Sequence, residues 1–335
     1  MRFLVAGCGS IGKRHVRNLV QIGIAPADIG VYDPNPDRAR EAGQGCGVER
    51  QYTDLATALD DGQFGAVLVC APTAFHTQVG LPAAERGCHL FVEKPIARDA
   101  TDLEKLLRLT EEKNLVFMVA YLFRFHPGYR LVKEILDAGT IGVVYAARVE
   151  CGQYLPDWHP HEDYRHFYMS KEAEGGGALL DISHEFDYVR SFMGSRVVEV
   201  SGFHDTLGPL EMDADNMSAT LLRFENRAIA SVHLDLLQRT VRRNCELIGE
   251  KGTLIWDHIS KTVTVYTPAD KKGTVRKYEY DGNQAYIDEL NHFRECIAEK
   301  KSPLVDGRSG YDTLQIVLAA KSSSREKRVI RFDKE

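Results

Sequence analysis

At 335 residues, with 44% hydrophobic and 27% charged side chains, the chain is ordinary for a globular protein and long for one core, so two domains are expected. A formal net charge of −6 excludes the concentrated basic surface that nucleic-acid binding needs, and the basic clusters at 239–243 and 321–328 are short and interrupted. No apolar run approaches the roughly 18 residues that span a bilayer, no signal-peptide pattern precedes the first apolar stretch, and the seven cysteines (8, 46, 70, 88, 151, 245 and 296) form no C-x-x-C pair, so a reduced cytoplasmic chain without structural zinc is expected.

The apolar run 2–6 predicts a strand, and it enters Gly7-Cys8-Gly9-Ser10-Ile11-Gly12, a G-x-G-x-x-G turn that opens a helix over 13–20. Gly7 permits the sharp turn, Gly9 has no side chain to block a pyrophosphate, and Gly12 lets helix and strand approach closely. The helix N-terminus offers unpaired N–H groups to phosphates. A second strand, Ile29-Gly30-Val31-Tyr32, ends in Asp33, near the spacing of about 20 residues expected of the acid that holds the adenosine ribose. A carboxylate there accepts from both ribose hydroxyls and repels a 2′-phosphate, which favours NAD; Arg38 nearby keeps NADP in play.

Further helices are predicted over 36–43, from 53–55, over 76–87 and over 99–114, where Leu103, Leu106, Leu107 and Thr110 recur at helical spacing. Between them, 66–71, 89–93 and 116–120 predict buried parallel strands, and 48–52 is a candidate sixth. This alternation reads as an α/β domain over 1–122, with a doubly wound Rossmann sheet. The rhythm then changes. A helix over 129–138 precedes longer strands rich in valine, threonine and isoleucine at 143–151, 197–204, 216–224, 228–237, 243–249, 252–257 and 262–266. With helices over 286–299 and 310–321, they predict a second, α+β domain over 123–335 built on a large, mainly antiparallel sheet.

Ligands of an open parallel sheet bind beyond the carboxyl ends of its strands, where 71–76, 93–95 and 121–127 are predicted to lie. Lys94 sits between a strand and a proline, so its backbone is held and its ammonium can point into that cleft; a surface lysine at a strand end is the alternative. Downstream, Gly175-Gly176-Gly177 runs into a predicted helix that puts Asp181 and His184 on one face. A carboxylate beside an imidazole suits a general base, and the glycines suggest backbone packed against a ligand or a partner domain. A buried, hydrogen-bonded helix histidine is the competing reading. The loop 154–166 carries Asp157, Trp158, His159, Tyr164 and Arg165, the mixture of aromatic and polar groups that recognises carbohydrate hydroxyls. Its histidines match no standard zinc spacing, so no metal is expected.

In these motifs, together with Ala71-Pro72-Thr73 and His76, Glu93-Lys94-Pro95, Arg124-Phe125-His126-Pro127 and the 175–187 segment, the whole chain resembles the Gfo/Idh/MocA oxidoreductases. The resemblance implies that Lys94 lies near the nicotinamide and the substrate hydroxyl, and that His184 is the general base with Asp181 beside it. It implies a dinucleotide set of Gly7, Gly9, Ser10, Ile11, Gly12, Asp33, Pro72, Thr73, His76, Glu93, Lys94 and Arg124, and a substrate set of Lys94, Asp157, His159, Tyr164, Arg165, Asp181 and His184. Asp181 and His184 are three apart, one fewer than the family's usual D-x-G-x-H, while His184 and Asp187 keep its H-x-x-D. The implied activity is hydride transfer between NAD and a secondary hydroxyl of a sugar, inositol or nucleotide sugar, in a homodimer or homotetramer. Rival readings within the resemblance are a glycoside hydrolase with a transient redox cycle, biliverdin or imine reduction, and a non-catalytic dinucleotide sensor.

Overall fold

The first 122 residues alternate short strands with helices: β1 (Phe3–Ala6), α1 (Ser10–Gln21), β2 (Ile29–Tyr32), α2 (Pro36–Gln44), β3 (Arg50–Tyr52), α3 (Leu55–Asp61), β4 (Ala66–Val69), α4 (His76–Glu85), β5 (His89–Glu93), α5 (Leu103–Glu112) and β6 (Phe117–Ala120). The computed structural model describes residues 1–158 and 160–332. Local signals start these helices: the Asn35 side chain accepts from the N–H groups of Asp37 and Arg38, and Asp54 caps α3 through the Thr57 N–H. β1, β4 and β6 are buried at every position, as a parallel sheet covered on both faces requires. All six strands are parallel, in the order β3-β2-β1-β4-β5-β6. The order reverses between β1 and β4, which makes the crevice beyond their carboxyl ends the place for a ligand.

The second architecture follows: α6 (Pro127–Asp137), β7 (Val144–Gly152), four short 3-10 turns between Leu155 and Glu174, α7 (Ala178–Asp181), α8 (His184–Met193), β8 (Val197–Asp205), β9 (Met217–Phe224), β10 (Ile229–Asp235), β11 (Arg242–Gly249), β12 (Thr253–Asp257), β13 (Thr262–Tyr266) and β14 (Thr274–Lys277). The chain closes with α9 (Gln284–Glu299), α10 (Gly307–Glu326) and β15 (Ile330–Arg331). The nine strands order β14-β13-β12-β11-β7-β10-β9-β8-β15 and pair antiparallel except for β7 with β10, which run parallel. Alternation sorts the faces. Leu222, Phe224, Val232, Leu234, Cys245, Leu247, Leu254 and Trp256 are buried, while Phe203, Leu221 and Ile229 point outward with Arg148 and Glu246.

The described chain divides into two units, Met1–Leu122 with Gly282–Asp312, and Phe123–Asp281 with Thr313–Glu335. The sequence reading placed 282–312 in the second domain; instead α9 returns to the first unit. There its Phe293 ring meets Phe91 at 5.6 Å, and the Asn283 and Asn18 side-chain amides bond to each other. Val305 then accepts the Val119 N–H, beside an antiparallel bridge from Asp306 to Met118. Helical periodicity identifies such a helix but not the surface it covers. The expected continuous helix through Asp181 and His184 is also two helices, broken at Ile182 and Ser183.

Candidate active site

Three glycines shape the turn after β1, each for a different steric reason. Gly7 has φ +102°, and a Cβ there would lie 2.5 Å from the backbone of Cys70 and Ala71 beyond β4. A Cβ on Gly12 would lie 1.9 Å from the Gly7 carbonyl oxygen. Above Gly9 there is nothing within 4 Å. The turn is therefore closed where chain meets chain and open where a phosphate would approach, at the N-terminus of the twelve-residue α1 that Ser10 and Ile11 begin. Asp33, 5% exposed, is oriented by main-chain donors: Cys8 N–H reaches Oδ2 at 2.8 Å and Asn35 N–H reaches Oδ1 at 2.9 Å. Each oxygen keeps a further lone pair for a ribose hydroxyl. Burial, with the Asp33 charge beside it, pushes the Cys8 thiol up to about 12, so it stays an inert neutral packing group. These residues fit a dinucleotide.

At the ends of β4 and β5, two of the expected cofactor residues have hydrogen-bond partners within the chain. His76 is buried, with Nδ1 at 2.9 Å from the Pro95 carbonyl and Nε2 at 2.9 Å from that of Ala71. Burial lowers its pKa against the raising effect of those carbonyls. It ties the loop after β4 to the loop after β5. Glu93 is directed inward as well: Oε1 meets His15 Nε2 at 2.8 Å and Oε2 accepts the Lys94 N–H at 3.3 Å. Thr73 is buried in the 3-10 turn that Pro72 introduces. Lys94 is half-buried at the end of β5.

In the second unit, His184 opens α8 and is 9% exposed, its ring tilted on Phe123 at 5.1 Å. Phe123 also stacks on His126 at 5.3 Å and meets His258 at 5.4 Å and Trp256 at 6.0 Å. The Arg243 guanidinium lies 4.1 Å from the same ring. Arg243 forms a two-pronged pair with the fully buried Glu185, at 2.7 and 3.1 Å. The general-base candidate is thus held by rings and flanked by a neutralised ion pair. Burial drives the His126 imidazole down to about 3 and that of His258 to about 4, so both are neutral around pH 7. Arg243 comes from β11, Trp256 from β12 and His258 from the turn after it, and nothing local in the sequence joins them to His184.

Asp181 accepts a hydrogen bond from the Tyr168 hydroxyl, a partner that the helical-face reading did not foresee. The glycines before it pack on the chain itself. A Cβ on Gly177 would meet Asp215 Oδ1 at 2.5 Å, and one on Gly176 the carbonyl oxygens of Tyr168 and Met169 at 2.4 and 2.5 Å. Arg124, read as a dinucleotide ligand, has Nε at 2.6 Å from Asp187 Oδ2 and Nη1 at 2.9 Å from the Tyr129 hydroxyl, both buried. Its contacts hold α8 against the 3-10 turn Leu122–Phe125 and do not support a cofactor role.

In the 154–166 loop, Arg165 grips Asp163 through Nε and Nη2 at 2.9 and 2.7 Å and reaches Glu211 at 3.4 Å. That pairing holds the Asp163 carboxyl down at about 2. The Tyr164 hydroxyl accepts the Glu211 N–H at 3.0 Å, Asp157 is exposed, and His159 lies outside the described residues. Among the described residues, the group of side chains close enough to share a cation is elsewhere: His15, Glu93 and Glu289, in the first unit.

Residues 1–121 match a family model described as "Oxidoreductase family, NAD-binding Rossmann fold", and 129–255 match the corresponding "GFO/IDH/MocA C-terminal domain". The chain is 30% identical to a myo-inositol 2-dehydrogenase of Thermotoga maritima over 99% of both chains. It is 27% identical to a scyllo-inositol 2-dehydrogenase (NAD(+)) of Bacillus subtilis, over 99% of this chain and 96% of that one. A solved levoglucosan dehydrogenase in complex with NADH and levoglucosan superposes over 100% of both chains with a TM-score of 0.89 at 24% identity, a likeness of fold.

Proposed function

The chain belongs to the Gfo/Idh/MocA oxidoreductase family, and from that premise we propose that it is an NAD-dependent dehydrogenase acting on a secondary hydroxyl of an inositol or a sugar. One observation carries the reading. In a chain that matches an inositol dehydrogenase along its whole length, the glycine turn is open above Gly9 and closed at Gly7 and Gly12, with the buried Asp33 carboxylate at the end of the next strand.

The dinucleotide is held by the N–H groups of Ser10 and Ile11 at the start of α1 and by Asp33, whose charge favours a free 2′-hydroxyl and so NAD over NADP. When bound, its nicotinamide supplies hydride acceptance. The chain's own residues supply position and charge. His184 takes the hydroxyl proton, its ring packed on Phe123 beside the paired Arg243 and Glu185. Lys94 supplies the positive charge that stabilises alkoxide developing on the substrate. Asp181, held by Tyr168, orients polar groups beside the base. Asp157, Tyr164 and Arg165 belong to a loop suited to substrate hydroxyls, Arg165 through the far side of its Asp163 pair. The seven free cysteines, most with buried thiols, support a reducing compartment, hence the cytoplasm.

The outward face of the nine-stranded sheet supports the reading that two copies pair through it. Phe203 is 79% and Leu221 54% exposed, beside the ion pairs Arg148–Glu246 and Arg223–Glu199. Mixed charges around apolar residues allow a self-complementary contact. Light scattering should show a dimer that Leu221→Lys with Phe203→Glu converts to a monomer, or a tetramer that it halves; an unchanged mass places the contact elsewhere.

The test of the activity is nicotinamide absorbance with NAD or NADP across inositols, free sugars and nucleotide sugars, for wild type and Lys94→Ala. NAD-dependent turnover of a polyol that the variant loses supports the reading. Tight NADH binding with no turnover of any member contradicts it and favours a hydrolase or sensor.

A further inference from the structure

Behind the strand end that carries Lys94, three ionisable side chains from three separate elements converge inside the first unit. They are His15 of α1, Glu93 of β5 and Glu289 of α9, and their ligand atoms all lie within 4.8 Å of one another. Rings close around them: His15 packs edge-on against Phe91 at 5.2 Å and Tyr286 at 6.1 Å, and Phe293 lies on Phe91. Glu289 is 0% exposed, and neither of its carboxylate oxygens has a hydrogen-bond partner among the described residues. In contrast, Glu93 is fully engaged, with His15 at one oxygen and the Lys94 N–H at the other.

Two carboxylates this close, one of them fully buried, repel each other strongly enough that the two do not ionise together. Glu93 receives two N–H contacts and Glu289 none, so the charge belongs on Glu93. The geometry points to Glu289 as a neutral carboxylic acid that faces the Glu93 carboxylate and acts as a positioning residue for Lys94. With Glu289 protonated, Glu93 keeps its charge for His15 and for the Lys94 main chain, and the start of α1, the end of β5 and α9 are fixed relative to one another. Burial and the neighbouring Glu93 charge both push the Glu289 carboxyl well above the usual carboxylate range, in agreement with this assignment. A divalent cation would also balance the two acids. However, the 2.8 Å contact between His15 Nε2 and Glu93 Oε1 is a hydrogen bond, with a proton where a shared metal would separate the atoms.

The inference about Lys94 rests on the proposed reaction; the proton on Glu289 does not. The experiment uses the full chain and the variants Glu289→Gln and Glu289→Ala. An infrared difference spectrum of wild type against Glu289→Gln at pH 7 should contain the carbonyl band of a protonated carboxyl that the variant lacks. Glu289→Gln, neutral and of the same shape, should retain kcat within about threefold, whereas Glu289→Ala should lose about tenfold in kcat with the NADH dissociation constant changed less than about threefold. Absence of the band overturns the proposal, as does a stoichiometric divalent metal in wild type that Glu289→Gln lacks. A folded Glu289→Gln as impaired as Glu289→Ala overturns it too, because the charge would then be required. Where Glu289→Ala fails to fold, the band and the Glu289→Gln kinetics decide. If Lys94→Ala keeps full activity, the proposed reaction fails while the infrared result still settles the protonation of Glu289.

Discussion

Replacing Gly9 and Gly12 with alanine, one at a time, separates the two tasks of the glycine turn. At Gly12 the added methyl would sit 1.9 Å from the Gly7 carbonyl oxygen and 3.0 Å from its carbon, both backbone atoms that cannot rotate away. Overpacking of this severity costs about 3 kcal/mol, and alanine's advantage inside a helix returns about 1 kcal/mol, leaving about 2 kcal/mol of lost stability. At Gly9 the backbone (φ −70°, ψ −166°) suits any residue, and nothing lies within 4 Å of the new methyl. The gain from a stiffer unfolded chain and the loss of a favoured cap residue are each below about 1 kcal/mol and oppose each other, so stability should hardly change. Yet that methyl occupies the space above the start of α1, and NADH affinity should fall at least about tenfold, or ~1.4 kcal/mol. Urea unfolding and calorimetric titration with NADH read the two effects separately. A Gly9→Ala protein that binds NADH like wild type would refute the placement of the pyrophosphate, and an undiminished midpoint for Gly12→Ala would refute the steric argument.

Asp33→Ser should raise the ratio of NADP to NAD turnover by about tenfold or more, since the carboxylate that repels a 2′-phosphate is gone; an unchanged ratio would remove Asp33 from the ribose site. Arg124→Met should cost about 3–5 kcal/mol in urea by leaving Asp187 buried without its partner, while the folded variant binds NADH within about twofold of wild type; a stable variant that loses NADH would restore Arg124 to the cofactor set. His126 and His258 have pKa values depressed to about 3 and about 4 from 6.5, so the unfolded chain takes up protons that the folded chain refuses. The stability that their neutral burial contributes is fully present above pH 6.5 and is lost as pH falls toward those values, at up to about 1.4 kcal/mol per pH unit for each. His258→Phe should therefore flatten the acid limb of the stability profile below pH 6.5, and an equally steep limb would contradict the assignment.

What could be read from the sequence was set by short-range sterics and periodicity. The glycine turn, Asp33 at a strand end and the parallel strands each depend on neighbours a few residues away, and the structure has them at or within a residue or two of the expected positions. The parts that depend on distant partners were not legible. Glu289 meets Glu93 only because α9 returns to the first unit, and its helical pattern is silent about which surface it covers. Arg124, His76 and Glu93 carry the residue types of a ligand site, but their hydrogen bonds go to Asp187, to main-chain carbonyls and to His15. Polar side chains advertise capacity, and only the fold shows whether that capacity is already occupied. The break between Asp181 and His184 escaped notice because residues three apart share a face only while the helix is continuous.

The proposed function stands on one step, the passage of hydride from a substrate carbinol carbon to the nicotinamide. Its most direct test is one turnover of the polyol that responds best in the absorbance panel, prepared with deuterium on every carbon, followed by mass analysis of the NADH formed. The NADH formed should be one mass unit heavier, with its deuterium on the nicotinamide ring, and its formation should be slower than with the unlabelled polyol. Unlabelled NADH, or labelled substrate consumed without any NADH released, would contradict it.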